Sequence, residues 1–174
     1  MGAHKASSTQ AKRLDGTLLR IYLRDHLAAA VGGRELARRT MRSNRGTPFA
    51  PVLEQLAHEI EEDRLALEQI MRRLGVSGDP IKQAAVWAFE KVARLKPNGR
   101  ILEYSPLSRL IEFEGLASGI EAKRSMWGAL QHVAHLDARL DPTRLGILER
   151  RAADQRSRLE AIRLDAVSLA FAQV

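Results

Sequence analysis

The chain has no cysteine, and among its 174 residues only four Phe, two Trp, two Tyr and six Pro. The missing cysteine excludes a disulfide framework, a thiol nucleophile and a thiolate zinc site. No apolar run approaches the ~18 residues that a membrane helix requires, and the opening MGAHKASSTQAKR has no apolar core of a signal peptide. A soluble, cytoplasmic protein with no membrane partner is expected. No segment alternates as a half-buried strand would, and no internal repeat points to a solenoid.

What is present is a 45% hydrophobic fraction, carried by Leu, Ala, Ile and Val, in a length that fits one domain. Basic residues outnumber acidic ones, 28 to 21, which invites a nucleic-acid reading. Of the 28, however, 22 are Arg, and with abundant Ala this is the composition that GC-rich genomes produce. Composition bias is the simpler explanation, so nucleic acid is a minor alternative. The arginines Arg38, Arg39, Arg42 and Arg45 sit where a helix C-terminus would favour cations, which explains them without a phosphate ligand.

Apolar residues recur at three and four over five stretches, each bounded by helix signals. The spacing predicts helices over 14–44, 48–74, 80–95, 105–136 and 142–172. Asn44 and Gly46 stop the first, and Thr47-Pro48, Asp79-Pro80, Ser105-Pro106 and Asp141-Pro142 each read as a cap followed by proline. Residues 1–13 read as a disordered tail and 14–174 as a single domain. The four long stretches would each span roughly 40–45 Å at 1.5 Å per residue. The interval from Gly75 to Tyr104 would then join two antiparallel hairpins by a long crossover that carries the additional helix. Trp87, Phe89, Phe113 and Trp127 are expected outside the core, either covered by the 80–95 helix within the monomer or supporting association with a second copy or a protein partner.

The stretches RIYLRDHLAAAVGGRELARR, NRGTPFAPVLEQLAHEIEED and YSPLSRLIEFEGLASGIEAKRSMW resemble a family of bacterial, mainly actinobacterial, uncharacterised proteins related to the ferritin-like superfamily. The resemblance implies an all-α, ferritin-like four-helix bundle and no particular reaction. Its wider superfamily includes di-iron carboxylate oxidases, iron-storage cages and DNA-protecting proteins, so the ligands must be sought residue by residue.

A di-iron site of that kind uses a Glu-x-x-His pair on each of two helices. This chain has none. The second long stretch offers Glu59-Ile60-Glu61-Glu62, and the last offers Glu160-Ala161-Ile162-Arg163, where arginine cannot ligate a cation. Weak candidate ligands for iron or manganese are His26, Glu59, Glu62, Asp63, Glu114 and Glu121. A first turn centred near residues 45 and 46 would put His26 close to Glu62 and Asp63, as a ligand, a proton-transfer group or a hydrogen-bonded core histidine. The same register puts Gly33 opposite His58, as a close-contact point between helices. His132 and His135, one turn apart with Asp137 beyond, have surface zinc spacing but equally suit a helix C-terminus.

Glu114 and Glu121 stand seven apart, as do Arg156 and Arg163. Paired as Glu114 with Arg163 and Glu121 with Arg156, their numbers add to 277, which a hairpin turning between Ala138 and Arg139 would satisfy. Two structural ion pairs are therefore expected where active relatives hold a metal. The expected function is a non-catalytic structural or interaction module with no cofactor. The alternatives are a divergent metal-carboxylate protein and a nucleic-acid-associated bundle.

Overall fold

The computed structural model describes residues 13–76 and 104–172. They form four long helices: α1 (Gly16–Ser43), α2 (Ala50–Arg73), α3 (Pro106–Val133) and α4 (Pro142–Phe171), with a 3-10 turn at Ala134–Leu136. No strand occurs among the described residues. The expected helix over 80–95, with Trp87 and Phe89, and all but the last residue of the expected tail over 1–13 lie outside them.

Local chemistry sets the helix ends. Asp15 accepts hydrogen bonds from the N–H groups of Thr17 and Leu18. Ser105 accepts from Ser108, and Asp141 from Thr143 and Arg144, with Pro106 and Pro142 in the next position. The expected Thr47-Pro48 start needs correction. Thr47 donates its hydroxyl to the Asn44 carbonyl and belongs to the turn, and the proline in the first helical turn of α2 is Pro51. Gly46 and Gly75 take positive φ, 76° and 71°, where the chain leaves α1 and α2.

Helix directions follow from which side chains meet. Going up α1, the residues Leu36, Arg39 and Asn44 face Gly115, Glu112 and Arg109, so α1 and α3 are antiparallel. Glu59, Asp63 and Gln69 of α2 bond Arg158, Arg151 and Arg144 of α4, which makes that pair antiparallel too. Within the second hairpin Gly128 faces Glu149, Gly146 faces Gln131 and Glu114 approaches Arg163. All three pairs add to 277. Every neighbouring pair is thus antiparallel, and α2 and α3 run in the same direction. The chain leaves α2 at one end of the bundle and enters α3 at the other.

Leucines dominate the core with three large aromatics, Phe49, Phe113 and Trp127, the last two 0% exposed. The expected surface position of Phe113 and Trp127 is therefore wrong. Phe113 packs edge-on against Phe49 with ring centroids 5.6 Å apart, closing the core where α1 turns into α2. The 3.6-residue period carries Phe113 and Trp127 inward beside Leu116, Ile120 and Leu130, while the neighbouring Glu114 points outward.

A polar knot ties the α1–α2 turn to the start of α3. The buried Asn44 amide donates to the Thr40 carbonyl and to the Tyr104 hydroxyl, both at 2.8 Å, and its oxygen accepts from Arg109 Nε at 2.7 Å. Tyr104 in turn donates to Glu112, which also lies 2.9 Å from Arg39. Burial pushes the Tyr104 hydroxyl well above its ordinary range, which keeps it a donor. Asn44→Ala leaves Arg109 and the Thr40 carbonyl without this partner, and we expect a loss of about 2–3 kcal/mol by urea unfolding with the native helix content retained.

Candidate functional site

Asp63 sits at mid-length on α2 and is 1% exposed. A carboxylate there must be paired or protonated. Lys123 of α3 brings its ammonium to 2.5 Å from Oδ2, and Gln155 of α4 donates to the same oxygen at 3.0 Å. Arg151 of α4 pairs with Oδ1 and, through its other terminal nitrogen, with Glu62 at 2.9 Å. Lys123 also donates to Gln155 Oε1 at 2.6 Å. One carboxylate, one amide and two cations from three helices thus form a closed network. Burial pulls the Lys123 ammonium down from its ordinary value, against the upward pull of Asp63.

Further pairs flank this centre. Glu59 holds Arg158 at 2.5 Å, and Gln69 accepts from Arg144 at 2.6 Å. Arg144, Arg151 and Arg158 stand seven apart on α4 and form one row against α2. Sequence reasoning found the carboxylates of this row but not their partners. The arginine spacing was available as a signal, as was Lys123, the one lysine among the described residues.

The remaining candidates make no bond to Asp63. His26 is half-buried and packs edge-on against Tyr22, with centroids 4.5 Å apart, while Glu62 and Asp63 engage other partners. Glu62 is instead 3.2 Å from His58 on its own helix. A Cβ on Gly33 would meet nothing within 4 Å, so the expected close helix contact there is corrected to open space. The true close contacts are Gly115 under Leu36 and Gly146 under Gln131.

Glu114 lies 3.8 Å from Arg163 but is 55% exposed, and Arg163 bonds Glu160 more closely, at 2.6 Å. Glu121 bonds Arg124 at 2.7 Å, whereas Arg156 bonds Glu160 at the same distance. Thus the expected height relation places Arg156 near enough to help hold the Glu121 carboxyl down, behind the larger effect of Arg124, while short-range partners on the same helix take the bonds. Glu160, between Arg163 and Arg156, is held down to about 2. His132 and His135 are exposed, and Asp137 bonds Arg139 at 2.6 Å instead of completing a metal site.

The residues present do not fit a divalent cation at the bundle centre. Asp63, Glu62 and Glu59 each face a basic side chain, and no group of three or more His, Asp or Glu comes together among the described residues. Beside the network a cavity of about 90 Å³ opens between α1, α2 and α3, with Asp63, Lys123 and His26 in its wall. No known family model, curated protein or solved structure matches this chain.

Asp63→Asn leaves the Lys123 ammonium without its carboxylate and Arg151 with Glu62 alone, and we expect it to lower stability by about 3–5 kcal/mol in urea. Glu114→Gln, on an exposed pair, should change it by under about 1 kcal/mol. His26 yields a pH signature. Burial lowers its pKa below 6.5, so the unfolded chain takes up the proton first and stability falls as pH drops below 6.5. Proton NMR titration should give His26 a midpoint below 6.5, and His26→Gln should flatten this part of the stability profile.

Proposed function

We propose that this protein is a non-catalytic, ferritin-like helical bundle that serves as a structural or interaction module of the cytoplasm. The ferritin-like part rests on connectivity. Two antiparallel hairpins whose inner helices α2 and α3 run in the same direction need one long crossover, as in that class of bundle. The observation that carries the non-catalytic part is the pairing of Asp63 with Lys123 and Arg151 where a metal-carboxylate relative would present free ligands. Fixed side-chain cations here do the electrostatic work that a metal ion does elsewhere, and they cannot exchange, change oxidation state or bind oxygen.

The alternative of iron or manganese binding has the carboxylates but lacks the geometry, because each carboxylate in reach is engaged by arginine or lysine. The nucleic-acid alternative keeps the net charge of +7, while the arginine row of α4 is turned onto α2 instead of outward. Association with a partner no longer draws support from Phe113 or Trp127, since both are core residues. No described helix is long and apolar enough to cross a membrane.

Protein purified without chelator should contain well under one equivalent of iron or manganese by elemental analysis, and added Mn²⁺ should leave its thermal midpoint unchanged. A stoichiometric metal, or a midpoint that climbs with Mn²⁺ concentration, would overturn the reading.

A further inference from the structure

Each pair of neighbouring helices leaves a groove along the outside of the bundle, and three of the four grooves are bridged by charge. Arg34 of α1 reaches Glu61 of α2 at 3.8 Å, Arg158 of α4 holds Glu59 of α2 at 2.5 Å, and Arg124 of α3 lies 3.7 Å from Glu149 of α4. The groove between α1 and α3 differs. Its Arg39–Glu112 bridge stands near the end that holds Asn44. Away from that end the exposed walls are Ala29 of α1 with Gly119 and Ala122 of α3, and the α1 stripe continues in steps of four from His26 through Tyr22 to Leu18, which is 65% exposed. An apolar groove among charged ones marks a surface that another element covers.

The route of the chain points to the same groove. Because α2 finishes at the end of the bundle opposite Asn44 and α3 begins beside Asn44, residues 77–103 have to cover the bundle's length, about 36 Å for the 24 residues of α2. A helix over 80–95 supplies about 24 Å and the remaining residues, extended, about 36 Å more, which leaves enough chain to cross from α2 to the α1–α3 side. Tyr104 fixes the point of re-entry. Its hydroxyl donates to Glu112 at 3.0 Å and accepts from Asn44 at 2.8 Å, so the chain comes into α3 from the mouth of the α1–α3 groove. The segment also has the complementary pattern: Ile81, Ala84, Ala88, Val92 and Leu95 recur at three and four, with Glu90 and Arg94 on the opposite side.

We propose that residues 80–95 of this same chain dock as a helix in the groove between α1 and α3, running toward Tyr104 and covering the wall at Ala29, Gly33, Gly119 and Ala122. The distance between packed helices is set by the side chains at the contact, and alanines laid against glycine and alanine let the docked helix sit low. Gly33 and Gly119 gain a reason, since a Cβ on either would meet no described atom within 4 Å and the room it leaves belongs to the incoming helix. An apolar helix face laid on any of the other three grooves would desolvate their ion pairs. The inference does not rest on the metal-free reading, which concerns Asp63 and its partners inside the bundle.

The chain has no cysteine, so introduced pairs can be spin-labelled without background. Glu90→Cys, on the side of the segment away from its apolar line, is combined in the full chain with Ser118→Cys on α3 or with Ser157→Cys on α4, both exposed positions. Pulsed dipolar spectroscopy should give one narrow distance for each pair, the shorter one to position 118. Adding Ala122→Arg, which puts a charge in the groove, should broaden the distance between positions 90 and 118, whereas Ala153→Arg, exposed on α4, should leave it narrow. The paired distances in the unaltered groove decide the matter even if the Ala122→Arg variant does not fold. A shorter distance to position 157, or broad distributions in both pairs, would overturn the proposal. So would a short distance that arises only when singly labelled chains are mixed, because a second copy would then occupy the groove.

Discussion

A carboxylate held 1% exposed inside a helical bundle constrains everything around it. An ammonium, a guanidinium and an amide reach Asp63 from α3 and α4, and those groups reach it only in one relative position of the two hairpins. Sliding α2 along α4 by a single turn would leave an anion and two cations desolvated and apart. An apolar core of leucines tolerates such a slip far better. The network therefore contributes more to choosing one packing than to net stability, a role that buried ionic groups fill where they define register. Its charges sum to zero with Glu62 included, so the interior carries no net field toward solvent.

The two faces of α3 illustrate opposite uses of small side chains. Against α4, Gly128 and Gly146 let Glu149 and Gln131 lie close, and the hairpin interlocks tightly. Against α1, a Cβ on Gly33 would meet no described atom within 4 Å, and Gly119 is exposed. Bulk returns only toward the end of the bundle, where Leu36 seats on Gly115 and the Asn44 knot fastens α1 to α3. The α1–α3 interface is thus clamped at one end and open at its middle.

Much of the architecture could be read from the residues. Ser105 and Asp141 announce their helices, and the hairpin register of 277 recurs at Gly128 and Gly146, positions that played no part in deriving it. What failed did so for identifiable reasons. A register shows which residues share a height, yet Glu121 and Arg156 find nearer partners three or four positions along their own helices. Phe113 and Trp127 lie off the Glu114 and Glu121 face, which suggests a surface position, although a helix with apolar residues on more than half its circumference buries several directions at once. The site itself needed the α2–α4 register, and that lies across two hairpins whose connection carries no short turn to count from. Glu59, Glu62 and Asp63 were therefore recognisable as a cluster while Lys123, Arg151 and Gln155 were not.

The placement of the network also bears on the order in which the bundle assembles. Each hairpin closes through a short turn, so its contacts form at small entropic cost, whereas Asp63 meets Lys123, Arg151 and Gln155 across separations of 60, 88 and 92 residues. The carboxylate belongs to the first hairpin and all three of its partners to the second. These groups meet only where the two hairpins pack together, and a packing that buried them out of register would leave charges desolvated without partners.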